Sequence, residues 1–261
     1  MFLANRNVAK PKGEQMRYKI STKENWDNVW QKHDTKESYN YLDSRKERAR
    51  EKISTFIDHG ITFQTGEQVL EAGCGDGSII FELLSHFDIK CVGIDFSEVA
   101  QKDTISRMSD YNKVFQYDLG DVHRLPYEDN SFDKIISLGV IEHFRDNLII
   151  MKEMYRVLKP NGIVVLMTPN RYSFGRIDRL VKEIMKTWKF GYQTEYTTQQ
   201  LTQLSEKSGF KIVESFVSLR HSNPNDSMSF KIISRVDQFV NIIFKNVGFY
   251  SYNVITKNEE K

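Results

Sequence analysis

Gln68-Val69-Leu70-Glu71-Ala72-Gly73-Cys74-Gly75-Asp76-Gly77, running into Ser78-Ile79-Ile80-Phe81-Glu82-Leu83-Leu84, is the stretch on which the fold turns. A short apolar run meets an acid and three alternating glycines, and a helical pattern follows. The order strand, glycine turn, helix is the way a parallel α/β sheet opens a ligand site at the C-terminal end of its first strand. Glycines let the backbone turn tightly and approach a ligand with no side chain in the way. A dinucleotide site usually reads G-x-G-x-x-G. Here the third glycine comes one residue early and Glu71 opens the loop. A carboxylate there repels a pyrophosphate and suits a ligand carrying an ammonium or a sulfonium.

Downstream, apolar runs and helical patterns alternate. Strands are expected at Lys90–Asp95, Val114–Asp118, Phe132–Leu138 and Ile163–Thr168, with helices at Ser78–Phe87, Ser97–Met108 and from beyond the fourth strand to about Leu158. Pro160-Asn161-Gly162 reads as a turn. Thr197–Gly209 reads as a helix capped by Gly209, Lys211–Leu219 as a sixth strand and Phe249–Lys257 as a last one. This alternation argues for a doubly wound, mostly parallel sheet. Asp95 ends the second strand 22 positions after Gly73, where an acid accepts hydrogen bonds from a ribose diol. Ser97 is the better N-cap for the helix that follows. After the third strand, Asp121 could accept from an exocyclic adenine amine while the Val122 amide meets a ring nitrogen. Asp118 competes for that role.

EAGCGDG, GIDFS, GDVHRLPYEDNSFDKIISLGVIEHF and EMYRVLKPNGIVVLMTPN, in this order, resemble the consecutive motifs of class I S-adenosylmethionine-dependent methyltransferases. The likeness covers roughly residues 66–170, and the group most similar includes the ubiquinone and menaquinone methyltransferases. It implies S-adenosylmethionine as cofactor, S-adenosylhomocysteine as product, and a seven-stranded Rossmann-like sheet whose last strand, here Phe249–Lys257, is antiparallel. It also implies that Glu71, Gly73 and Gly75 cradle the methionine and ribose, and that Asp95 holds the ribose with Phe96 beside the adenine. Asp121 and Val122 would read the adenine, and the backbone of Leu138 and Gly139 would meet the methionine ammonium. Ala72, Cys74 and Ser97 complete the candidate cofactor set within the same motifs.

Methyl transfer requires alignment of nucleophile, methyl and sulfur, exclusion of water and, for many acceptors, a base. His143, just beyond the fourth strand, is the base candidate; its alternative role is to order the pocket. His33, His123 and His221 read as surface or loop histidines. Residues 1–60 read as a loose basic arm and a helical cap, and 61–261 as the methyltransferase domain with insertions at about 173–196 and 220–247. From the cap, Tyr39, Tyr41 and Arg45 could reach the site, Arg45 meeting the cofactor carboxylate. A basic amphipathic helix is expected in 173–196, carrying Arg176, Arg179, Lys182, Lys186 and Lys189. In 228–247, Ile232, Ile233, Val236, Phe239, Val240, Ile243, Phe244 and Val247 form one apolar stripe. The plain reading is a lid packed on the core or against a second copy. The sharper one is a basic apolar surface resting on a membrane to take a lipid-linked substrate.

The 261 residues, 39% hydrophobic and 28% charged, suit one α/β domain with insertions and exclude a disordered chain. A net charge of +2 gives no whole-chain field for nucleic acid, and no DNA partner is expected. Cys74 and Cys91 make no disulfide framework and lack metal-ligand spacing, so no metal is expected. The first residues lack an apolar core of signal-peptide length, and a cytoplasmic location is expected. The acceptor is expected to be a small metabolite, a sugar derivative or a lipid-linked precursor, methylated on oxygen or nitrogen by a monomer or homodimer. Methylation of RNA or protein, and a non-catalytic cofactor-binding regulator, are the alternatives.

Overall fold

A computed structural model describes residues 22–31, 38–108, 115–221, 226 and 228–258, with side chains from residue 44 in the second stretch. The expectations placed on the arm before Thr22, on His33 and on the side chains of Tyr39 and Tyr41 lie outside the described residues. Seven strands form one sheet in the order β3-β2-β1-β4-β5-β7-β6. They are β1 (Gln68–Ala72), β2 (Lys90–Asp95), β3 (Gln116–Leu119), β4 (Phe132–Leu138), β5 (Leu158–Pro169), β6 (Lys211–Ser218) and β7 (Tyr250–Thr256). The first five are parallel, and β7 runs antiparallel between β5 and β6. Strand order reverses between β1 and β4, so the crevice beyond their C-terminal ends is where a doubly wound sheet takes its ligand.

Period-two alternation divides the central strands between two cores. Val69 and Ile136 join α2 (Ser38–Asp58) and α3 (Ser78–His86) through Ile53, Phe56, Ile80 and Leu83. Leu70 and Ile135 join α5 (Asn147–Val157) and α7 (Thr198–Lys207) through Ile150, Met154 and Leu201. Both faces of β4 are buried, which is why its sequence is a continuous apolar run rather than an alternating one. Helix α7 starts on a capping box, Thr197 with Gln200, and Gly209 follows it at φ +98°.

Two expectations need correction. Pro160-Asn161-Gly162 is no turn between elements: β5 starts directly after α5 and carries the triplet as an irregularity in its pairing with β4. Asn161 takes φ +61°, and a Cβ on Gly162 would stand 2.9 Å from the Asp133 carbonyl. The backbone thus absorbs the extra residues as a bulge and pairing resumes at Ile163. The helix expected through 173–196 is only α6 (Gly175–Ile184), and its sequel is irregular. The second insertion folds as α8 (Met228–Ile243), beside α6. Before the sheet, α1 (Lys23–Gln31) lies against α4 (Glu98–Met108).

Candidate active site

The glycine loop is held from three directions. Gly73 and Cys74 donate their backbone N–H groups to the Ile94 carbonyl at 2.8 and 3.1 Å. The Tyr117 hydroxyl donates to the Gly75 carbonyl at 2.8 Å, and Arg107 donates to the Asp76 carbonyl at 2.7 Å. Gly73 has φ +81°, and a Cβ there would sit 2.4 Å from Val140 Cγ2. The loop therefore lies closely on the turn beyond β4 and admits no side chain.

Asp95 is buried, and each of its oxygens takes a backbone donor: Gly75 N at 2.9 Å and Ser97 N at 3.0 Å. The carboxylate bridges the ends of β1 and β2 at the crevice. Glu71 is buried beneath the loop, and its Oε2 has no hydrogen-bond partner among the described residues. Burial pushes its carboxyl well above the usual range, opposed chiefly by the charge of Lys52. A buried carboxyl oxygen without a donor is costly, and a bound cation or donor would relieve it.

These groups line one cavity of about 270 Å³. Of the residues expected to hold a cofactor, Glu71, Gly73, Cys74, Gly75, Asp95, Phe96, Val122, Leu138, Gly139 and Arg45 are in its wall. Ala72, Ser97 and Asp121 are not. Ala72 is fully buried in the core beneath. Ser97 donates to Asp27 Oδ1 at 2.6 Å and accepts from Ala100 N, so it caps α4 and ties α1 down. Asp121 accepts from the His123 backbone N–H at 2.9 Å and faces the His123 ring. Asp118, its competitor, accepts from the Tyr127 hydroxyl.

Arg45 reaches the cavity but is bound: it pairs with the buried Asp76 at 2.7 Å and stacks over the Trp30 ring at 4.3 Å. Arg45, with Arg107, holds Asp76 below the ordinary carboxylate range against the opposing effect of burial. Trp30 closes over the glycine loop so tightly that a Cβ on Gly75 would lie 2.6 Å from its ring. Trp26, one turn earlier, meets His143 edge-on at 4.9 Å and Phe190 at 5.8 Å. In the sequence Trp26, Val29 and Trp30 mark helical spacing, with no role at the site expected of them. Two tryptophans four apart on a short helix whose remaining residues are polar but for Val29 were the available signal, because such a helix has no core of its own in which to bury them.

His143 lies in the short 3-10 turn Ile141–His143 and lines the cavity. Its Nδ1 is 2.8 Å from the Tyr192 carbonyl. A carbonyl can only accept, so Nδ1 carries the hydrogen and Nε2 keeps its lone pair. Burial lowers the imidazole to about 4, which makes it a neutral, weakly basic group. Glu142 beside it is buried with Oε2 unpartnered among the described residues, and burial pushes its carboxyl up to about 8. Among the described residues no group of His, Cys, Asp and Glu could hold a metal ion.

The sheet order, with a glycine loop and a buried acid at the C-terminal ends of β1 and β2, defines a class I S-adenosylmethionine-dependent methyltransferase fold. The model of the methyltransferase domain family matches residues 63–238, and the chain belongs to that family. A "probable S-adenosylmethionine-dependent methyltransferase" of Mycolicibacterium smegmatis is 31% identical over 165 residues, 60% of this chain and 59% of that protein. Phosphoethanolamine N-methyltransferase 3 of Arabidopsis thaliana is 30% identical over 116 residues, 44% of this chain and 24% of its own length. The chain therefore matches only part of each of these curated relatives. Among solved structures, a chain of the complex between the Haloferax volcanii Trm112 methyltransferase activator and a methyltransferase superposes with a TM-score of 0.65. It is 15% identical, and the match covers 90% of this chain and 98% of that one. Phosphoethanolamine N-methyltransferase 2 of Haemonchus contortus gives 0.55 at 18% identity, covering 78% and 52%. At these identities the structures speak to the fold alone.

Proposed function

We propose that the protein moves the methyl group of S-adenosylmethionine onto a nitrogen or oxygen of a small acceptor, be it a metabolite, a sugar derivative or a lipid-linked precursor. One observation carries the reading: the glycine-and-acid cradle and the neutral His143 share the wall of a single cavity roofed by Trp26 and Trp30. In this reading residues 1–60 supply the cap, and 61–261 the methyltransferase domain with its two insertions.

The cradle fits the cofactor. The unpartnered oxygen of Glu71 suits its ammonium, the Asp95 carboxylate suits a ribose diol, and the Gly73–Val140 contact leaves room for backbone approach only. Phe96 and Val122 supply apolar wall for the adenine. Bound there, the sulfonium presents a methyl carbon already activated for displacement. The acceptor's lone pair forms the new bond to that carbon, the carbon–sulfur bond breaks to leave a thioether, and the acceptor gives up its proton.

His143 Nε2 accepts that proton or orients the N–H or O–H that carries it. A base as weak as this suits an amine nucleophile, which needs only to lose the proton of a methylated ammonium, better than an alcohol. Norajmaline N-methyltransferase of Rauvolfia serpentina and the phosphoethanolamine enzymes, named for methylation at nitrogen, lend support. Titration calorimetry with S-adenosylhomocysteine, with NAD as control, tests the cofactor. Binding of the first alone supports the reading, and binding of NAD instead would overturn it. Methyl incorporation from labelled S-adenosylmethionine into primary and secondary amines, set against alcohols, then tests the acceptor. Tight cofactor binding with no turnover on any acceptor would mark a non-catalytic binder.

A further inference from the structure

Both insertions turn inside out relative to an ordinary surface helix. On α6 the buried residue is Arg179, which pairs with Glu195 and Glu183, while Ile177, Leu180, Val181 and Ile184 face outward along one helical stripe. On α8 the buried residues are Ser234 and Asp237, and Ile232, Phe239, Ile242 and Ile243 face outward. Asp237 accepts from Ser173 Oγ at 2.7 Å and from Phe174 N at 2.9 Å, which locks α8 onto the start of α6. Ile184 is 82% exposed, and Phe239, Ile242 and Ile243 are 68% exposed each. An apolar face this open marks an interaction surface.

The charges around it are of one sign. Acids within the two helical segments are spent locally: Asp178 on Lys182, Glu183 on Arg179, Asp237 inward on Ser173. Lys186, Lys189, Arg235 and Lys245 are exposed and have no carboxylate partner among the described residues. We propose that the paired outer faces of α6 and α8 dock on an anionic phospholipid membrane, the isoleucines and Phe239 entering the headgroup boundary and the cations meeting lipid phosphates. A second copy of this chain fits less well, because a two-fold interface would set this cationic rim against itself.

The surface is joined to the candidate active site. The segment that leaves α6 places Phe190 against Trp26 and the Tyr192 carbonyl against His143. A membrane-seated α6 therefore sits beside the acceptor end of the cavity, within reach of an amphiphilic substrate.

Co-sedimentation of the full chain with phosphatidylcholine–phosphatidylglycerol vesicles and with phosphatidylcholine vesicles tests this. The chain is expected on the anionic vesicles, less so in high salt, and weakly on the neutral ones. The pairs I184S with I243S and R235E with K245E, all at exposed positions, each lower partitioning at least about tenfold. Affinity for S-adenosylhomocysteine, measured on the same samples, reports that the variants fold. No partitioning by the wild type, or partitioning unchanged in both pairs, overturns the proposal. So does a dimer, seen by sedimentation velocity, that the serine pair dissolves without any vesicle binding. Vesicle binding by a chain that ignores S-adenosylhomocysteine would sink the cofactor reading and leave this one standing.

Discussion

The loops above β1 and β2 and the helices α6 and α8 obey opposite rules. Around the glycine loop, apolar residues are inside, polar atoms are paired through the backbone, and the exception, the unpartnered oxygen of Glu71, belongs to a residue of the cavity wall. In α6 and α8 the buried side chains are polar, Arg179, Ser234 and Asp237, while Ile177, Ile184, Ile232, Ile242 and Ile243 are exposed. An amphipathic pattern fixes that a helix has two sides; it does not fix which side meets the sheet. Where the underlying surface offers ion-pair and hydrogen-bond partners, such as Glu195, Ser173 and the Phe174 N–H, the polar side wins. That leaves the apolar side for something else.

The largest expected effect would break the outer region while sparing the inner one. Arg179 is buried between Glu183 and Glu195, so Arg179→Ala strands Glu183 and leaves Glu195 with Arg176 at 3.9 Å. Losing one partner of a buried pair costs about 3–5 kcal/mol. Urea unfolding should show a loss of that size, with affinity for S-adenosylhomocysteine within about twofold of wild type. A loss below about 1 kcal/mol would mean that the pair acts as an exposed one.

A slightly smaller effect probes the seam between the regions, where His143 meets Tyr192. Its folded-state value is depressed from 6.5 to about 4, so the unfolded chain takes up the proton first as pH falls. The stability contributed by the neutral ring is therefore fully present above about pH 6.5 and is lost as pH falls toward about 4, by about 3 kcal/mol in all. His143→Gln cannot titrate, and its stability should fall less between pH 7 and pH 4.5. Parallel pH profiles for the two proteins would show that the ring is not buried neutral.

Much of the inner region was legible because its physics is local. β2 and β4 fall on the residues expected from their apolar runs, and β6 within a residue of them. The spacing from Gly73 to Asp95 put a carboxylate where the structure has it bridging two strand ends. What was not legible depends on partners remote in sequence. Nothing near Arg179 announces Glu195, and nothing near Trp26 announces His143. The 173–196 helix was drawn too long because Lys186, Thr187 and Trp188 continue a periodic pattern. In fact Lys186 takes φ +58° and the Thr187 and Trp188 amides fold back onto Lys182. Arg45 lines the cavity as its place on the cap suggested, but nothing near it in sequence announces its pairing with Asp76.

Removing Asp95 sharpens the inner half of the comparison. Asp95→Ala should weaken S-adenosylhomocysteine binding by about 1–3 kcal/mol, roughly five- to 150-fold, as for a lost hydrogen bond to a charged group. Asp95→Asn keeps the shape and one acceptor and should lie between the two. Calorimetry that returns wild-type affinity for the alanine variant would remove the ribose assignment.

The smallest effect concerns Glu71, the inner region's own exception. Its carboxyl is raised by burial, so over a range above the ordinary carboxylate value the free protein holds it protonated. A cationic ligand favours the ionised form, and binding must then release a proton. Affinity for S-adenosylhomocysteine should rise with pH through that range, by less than tenfold per pH unit for one proton. The sign is opposite for folding: a raised carboxyl stabilises the folded chain at low pH and loses that contribution as pH climbs through its folded value. Glu71→Gln removes the part of both dependences that Glu71 contributes, giving a weaker rise of affinity with pH and a relative gain in stability at the alkaline end. Calorimetry in two buffers of different ionisation enthalpy counts the protons directly. If the wild type releases none, Glu71 is not answering the ligand's charge, and its unpartnered oxygen belongs with the buried polar side chains of α8 rather than with the site.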